Sequence, residues 1–230
     1  MTKLVGALES VRTQRAVERD RIMLIGHSFG ARILYSAVSQ VLIYKTQLAH
    51  PGPKGQIYKP IAGPADLVLL INPALDSSAY TSLDAIRRNR KDVLYKERFS
   101  EKQEPILLSI STTNDEALSW PFYVGQWLGL ARTDKELTAL GYHDKYATHQ
   151  LERRAMPARP EPTTDWTSAF CDSGICLNRV DEAQHHPYLV VRTSGDILAG
   201  HGGIWSPDFV SWTMRLMKEV DSRSGHRAAP

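Results

Sequence analysis

Two patterns of apolar positions alternate along this chain, and their alternation sets the expected architecture. Short continuous apolar runs stand at Ile22 to Ile25, Leu67 to Ile71, Pro105 to Ile110 and Tyr188 to Arg192. Runs this short and unbroken read as strands covered on both faces, as in a parallel sheet. Between them the spacing turns helical. Ile33, Leu34, Ala37, Val38, Val41 and Leu42 recur at helical intervals over Ala31 to Lys45, so this helix is expected to be buried over much of its surface. Further helices are expected around Ser82 to Lys96 and from about Pro207 to Val220, with a frayed end after Ser222. A modest amphipathic helix is expected over Leu4 to Glu18, where Leu4, Leu8, Val11 and Ala16 share a face.

Strands alternating with helices imply βαβ units. The expected fold is therefore α/β, a mostly parallel sheet of about four recognisable strands flanked by helices. A chain of 230 residues can bury a sizeable core, and it is read as one domain over 1–230. One stretch breaks the alternation. Residues 116–187 show weak periodicity and hold Pro157, Pro160, Pro162 and both cysteines. They read as an irregular excursion across the surface, with a helix at Thr133 to Leu140, and such excursions often form lids or binding loops.

Composition changes this picture only at its margins. A hydrophobic fraction of 42% and a charged fraction of 23% are ordinary for a soluble globular protein. The net charge of +3 is small, and Arg87, Arg88, Arg90 and Lys91 form a solvated helix face, so nothing points to nucleic acid. No run approaches the ~18 apolar residues of a membrane span. Met1-Thr2-Lys3, followed by Arg12, Arg15, Glu18 and Arg21, does not have the form of a signal peptide, and the compartment stays open. Cys171 and Cys176 are spaced for a small disulfide loop or for two reduced thiols, not for a zinc knuckle.

The candidate chemistry starts at Gly26-His27-Ser28-Phe29-Gly30, between the first apolar run and the first helical pattern. A bare G-x-S-x-G arises by chance in roughly one chain in thirteen of this length, so its placement carries the signal. A strand, a sharp turn and a helix lift a serine hydroxyl above the sheet at the cost of backbone strain. A Cβ at either flanking glycine is expected to collide with the neighbouring strand or helix. The helix that follows points its N-terminal N–H groups at the same place, which favours developing negative charge there.

With Asp115 after the third apolar run and His201 after the fourth, the chain resembles roughly the C-terminal two-thirds of an α/β-hydrolase, the serine esterase and lipase superfamily. That resemblance implies Ser28 as nucleophile, His201 as general base and then acid, and Asp115 as the acid that orients it. It implies the Phe29 amide as one oxyanion donor and an ester or acyl compound as substrate, with no cofactor and no metal. The ordinary reading of Asp115 is a helix cap, since Thr113, Asn114 and Asp115 are all cap-type residues. Asp76, after the preceding strand, is the alternative acid, and Asp196, five residues before His201, is a weaker one. His27 is expected to line the elbow, while His185 and His186 precede their strand and His226 lies in the tail. His185 and His186 with Asp181 or Glu182 lack a third ligand at metal spacing. Trp120, Phe122, Tyr123 and Trp127 would wall an acyl pocket or simply pack.

The departure from the family lies at the front, where the family has further strands and its second oxyanion donor. Without them Ile22 to Ile25 is expected to be a bare hydrophobic sheet edge. Three expectations follow: a fragment of a complete hydrolase, a minimal variant whose edge a partner chain or dimer mate covers, or a catalytically impaired module that binds without catalysing.

Overall fold

The computed structural model describes residues 21–48, 60–88, 103–114, 139–154, 170–180 and 187–224, with Lys3, Gly6, Ala7 and Ser10. In chain order the elements are β1 (Met23–His27), α1 (Phe29–Leu48), β2 (Leu67–Ile71), α2 (Ser77–Arg88), β3 (Leu107–Thr112), β4 (His149–Arg153), β5 (Cys171–Asp172), β6 (Ile175–Arg179), β7 (Tyr188–Thr193) and α3 (Pro207–Ser224). Single 3-10 turns stand at Leu140–Tyr142, Asp144–Tyr146 and Gly203–Trp205. The helix expected over Leu4 to Glu18 lies, apart from Gly6, Ala7 and Ser10, outside the described residues.

One seven-stranded sheet runs in the order β1-β2-β3-β7-β4-β6-β5. All four apolar runs are strands of it, and the class is α/β. The sheet is mixed, however, and not mostly parallel. Strands β1, β2, β3, β7 and β4 pair in parallel, whereas β4 with β6 and β6 with β5 are antiparallel. The three extra strands come from the stretch read as irregular. Their signal is weak because they are short and only half covered: β4 alternates buried and exposed positions, and β5 has two residues. A tight turn at Ser173 (φ 51°) and Gly174 (φ 73°) joins β5 to β6. Positive φ at both central residues is what a two-residue hairpin turn requires. The Cys171–Cys176 disulfide closes that hairpin between directly paired residues.

The core has two faces because side chains alternate along each strand. In β2, whose five residues are all buried, Val68 and Leu70 face α1 against Ala31, Tyr35, Val38 and Leu42. Leu67, Leu69 and Ile71 face α3 against Phe209, Trp212, Leu216 and Val220. Helices thus cover both faces, which is why β2, β3 and β7 read as continuous apolar runs. Asp66 pins the start of β1: its N–H donates to the Ile22 carbonyl at 2.8 Å, and its Oδ2 accepts the Ile22 N–H at 2.9 Å.

Among the described residues β1 is an edge strand. The Ile22 carbonyl and the Ser28 N–H both bond toward β2, so the alternate residues Met23, Ile25 and His27 turn their N–H and C=O groups outward. Ile25, and Phe29, Ile33, Tyr44 and Leu48 along α1, are large apolar side chains left exposed. No helix among the described residues is long and apolar enough to cross a membrane.

His149, at the start of β4, is buried beside Thr148, whose hydroxyl lies 2.9 Å from its Nδ1. Among the described residues its Nε2 has no hydrogen-bond partner, and Arg179 is its register partner on β6. Burial, helped by the Arg179 charge, pushes its pKa down to about 3. The unfolded chain takes up this proton near pH 6.5 and the folded chain not until about pH 3. Stability is therefore complete above about pH 6.5 and falls by about 1 kcal/mol per pH unit as pH drops toward 3. Urea melts between pH 7 and pH 4 should show this slope, and His149→Leu should flatten it.

Candidate functional site

The parallel strands end together on one side of the sheet, and the candidate residues lie just past those ends. This is where ligands of open α/β sheets bind. Ser28 follows β1 directly and caps α1: its carbonyl accepts the Arg32 N–H at 3.2 Å, the first bond of the helix. The same carbonyl accepts the Ala74 N–H at 3.2 Å, and the Ser28 N–H donates to the Ile71 carbonyl at 3.1 Å. These three bonds hold the serine at φ 54°, a backbone region that few residues other than glycine enter. Strain of this kind persists only where the surroundings over-determine it, and it clusters at functional sites.

The two flanking glycines differ. A Cβ on Gly26 would stand 2.7 Å from the Ala31 Cα and 2.8 Å from its N, so the turn closes only over a glycine. At Gly30 nothing lies within 4 Å of an added Cβ, and the expected collision there is absent. The motif needs its first glycine for packing; its second lies on the open side of the helix. Phe29 is the first residue of α1, so its N–H has no intrahelical acceptor and stands at the positive end of the helix dipole. Its side chain is 69% exposed.

His201 lies in the loop after β7, and the fold brings this loop against the elbow. The His27 Nε2 stands 2.9 Å from the His201 carbonyl oxygen, and the two imidazole centroids are 4.7 Å apart at 46°. Ser28, Phe29 and His201 thus share one end of the sheet. Asp115 lies outside the described residues. Asn114, immediately before it, accepts the Gly200 N–H on its Oδ1 at 3.3 Å, so the end of β3 meets the histidine loop.

Both alternative acids are engaged elsewhere. Asp76 caps α2: its Oδ1 accepts the Ala79 N–H at 3.0 Å and the Ser78 hydroxyl, and Arg32 lies 4.0 Å from its Oδ2. Asp196 pairs with Arg153 at 3.5 Å and accepts the Ser194 hydroxyl. His185, His186, Asp181, Glu182, His226, Trp120, Phe122, Tyr123 and Trp127 lie outside the described residues, as do Arg90 and Lys91. Among the described residues no group of three His, Cys, Asp or Glu side chains is placed to hold a metal.

Asn72 is the site residue that pattern reading passed over. It follows β2, is fully buried and adopts φ 42°. Its N–H donates to the Ile110 carbonyl at 2.8 Å and its Oδ1 accepts the Thr112 N–H at 3.0 Å. Its Nδ2 donates toward the Gly200 and His201 carbonyls at 3.3 and 3.4 Å. One side chain thereby joins the ends of β2 and β3 to the loop after β7. The available signal was Asn72-Pro73 at a strand end, since asparagine tolerates the left-handed region and bonds nearby backbone.

Compared with protein-family models, with curated proteins and with solved structures, the chain matches none of them.

The unequal glycines give a direct check of the elbow's packing. Gly26→Ala should destabilise the protein by roughly 1–3 kcal/mol, because the atoms it meets are backbone. Gly30→Ala, in open space inside a helix, should be neutral or stabilising by up to ~1 kcal/mol. Paired urea melts read both, and equal midpoints would contradict the geometry.

Proposed function

We propose that the protein is a serine hydrolase of the α/β-hydrolase type, acting through an acyl-enzyme on carboxylic esters. The observation that carries the reading is Ser28 at φ 54° between β1 and α1, with the His201 loop bound to the same turn. In this reading Ser28 Oγ attacks the ester carbonyl while the His201 imidazole takes its proton. The carbonyl oxygen turns negative at the start of α1, where the Phe29 N–H donates to it. His201 then gives the proton to the leaving alcohol, and water, activated by the same imidazole, releases the acid. Asp115 is the acid assigned to orient His201 and stabilise its imidazolium.

A second reading is favoured by the outward groups of β1 and the exposed Ile25, Phe29 and Ile33. Here the domain is a catalytically impaired binding module that takes a partner strand on β1, the usual way an open sheet edge is used.

An active-site fluorophosphonate separates the two. The hydrolase reading expects labelling at Ser28, its loss in Ser28→Ala, and a fall in ester turnover of about 10⁴–10⁶ in that variant. The binding-module reading expects a folded protein that never labels. It also expects a stable complex on size exclusion, in which the β1 amides are protected from hydrogen exchange.

A further inference from the structure

We propose that His27, the residue before the nucleophile, is a positioning residue that holds His201 through its imidazole Nε2–H. The inference rests on the serine-hydrolase reading and adds to it how the base is kept in place. His201 sits in Gly200-His201-Gly202-Gly203, and Gly200 has φ 62°. A segment this rich in glycine has wide conformational freedom, so local preference alone does not fix the position of His201. The restraint comes from outside the loop.

The His201 carbonyl oxygen receives it. A carbonyl oxygen can only accept, so the His27 Nε2, at 2.9 Å, carries the proton, which sets the tautomer of His27. Asn72 Nδ2 approaches the same oxygen at 3.4 Å and shares itself with the Gly200 carbonyl. The His27 bond is the shorter, and the tilted contact of the two rings adds to it. Its origin gives it a special effect. The chain runs directly from His27 into Ser28, whose backbone is held by three bonds of its own. One hydrogen bond from the elbow therefore sets the base relative to the nucleophile. His27 acts through His201, by its bond to the His201 carbonyl and its ring contact.

Four proteins test this: wild type, His27→Phe, His27→Gln and His27→Asn. Phenylalanine keeps a ring against His201 but has no N–H. Glutamine places an amide N–H close to where the imidazole Nε2 stands, and asparagine is one methylene too short to do so. The readouts are the rate of fluorophosphonate labelling at Ser28 and the kcat and KM for p-nitrophenyl acetate, with thermal melts as the control for folding. We expect His27→Phe to lower kcat and labelling about 100-fold with KM nearly unchanged, as a small misplacement of a catalytic group does. His27→Gln should recover most of that loss and His27→Asn should not, which a purely structural role would not reproduce. If His27→Phe fails to fold, the contrast between the Gln and Asn variants decides. Wild type labelling with His27→Phe equally fast, or His27→Gln as slow as His27→Phe or His27→Asn, overturns the positioning role alone. Wild type that is folded and never labels overturns the hydrolase reading and the role together.

Discussion

Everything proposed for this protein depends on the parallel pairing of β1, β2, β3 and β7. Parallel strands all end on the same side of a sheet, so the segments that leave them are neighbours however far apart they lie in the chain. The register is tight: His27 pairs with Ile71, Ile71 with Ile110, and Ile110 with Val191. Ser28, Asn72, Thr113 and Ser194 then follow these strands within three residues of that line. The pairing is in turn held by burial on both faces, with α1 and α2 on one side and α3 on the other.

Strands that end together leave a row of backbone groups with no further ladder to join. Buried groups of this kind cost about 1–3 kcal/mol each when left unpaired, so the line of strand ends needs a polar side chain among apolar ones. Asn72 fills that need from a fully buried position, and the amide offers both donor and acceptor where a leucine of similar size would offer neither. The same residue that satisfies the end of β3 through its N–H and Oδ1 also tethers the loop of His201 through its Nδ2. Stability and site geometry are thus served by one residue, and a change there acts on both.

The two ends of the sheet are finished differently. Beyond β7 the sheet goes on through β4, β6 and β5, with the hairpin closed by the Cys171–Cys176 bond and packed on α3 through Ile175 and Leu177. Arg153 on β4 reaches Asp196 in the histidine loop and Asp208 in the first turn of α3, so this added half also braces the site. At the other end β1 presents outward backbone groups and the apolar Ile25, with exposed Phe29 and Ile33 on the adjoining helix. Among the described residues β1 is therefore the least covered of β1, β2, β3 and β7. That contrast is why an interaction role competes with a catalytic one for this chain.

What the sequence determined by itself is whatever local patterning dictates. Four apolar runs became β1, β2, β3 and β7; for β2, β3 and β7 the reason is burial on both faces, which favours apolar residues at successive positions. Helical spacing placed α1 and α3 within a few residues of their ends, and Gly26-His27-Ser28-Phe29-Gly30 marked the turn between β1 and α1. It also found α2, which starts at Ser77, five residues before the expected Ser82, while the expected end at Lys96 lies outside the described residues. Tertiary structure decided the rest. Strand β4, which pairs with β7, is half exposed and carries charge, and β6 beyond it has only three buried residues before Asn178 and Arg179, so neither leaves a long apolar run to read. The difference between Gly26 and Gly30 depends on where Ala31 lies after the turn closes, and the motif alone treats them as equals. Asn72 and His27 acquire their roles only from a loop more than a hundred residues away. A side chain's partners across such a distance follow from the parallel register, which no window of the sequence contains.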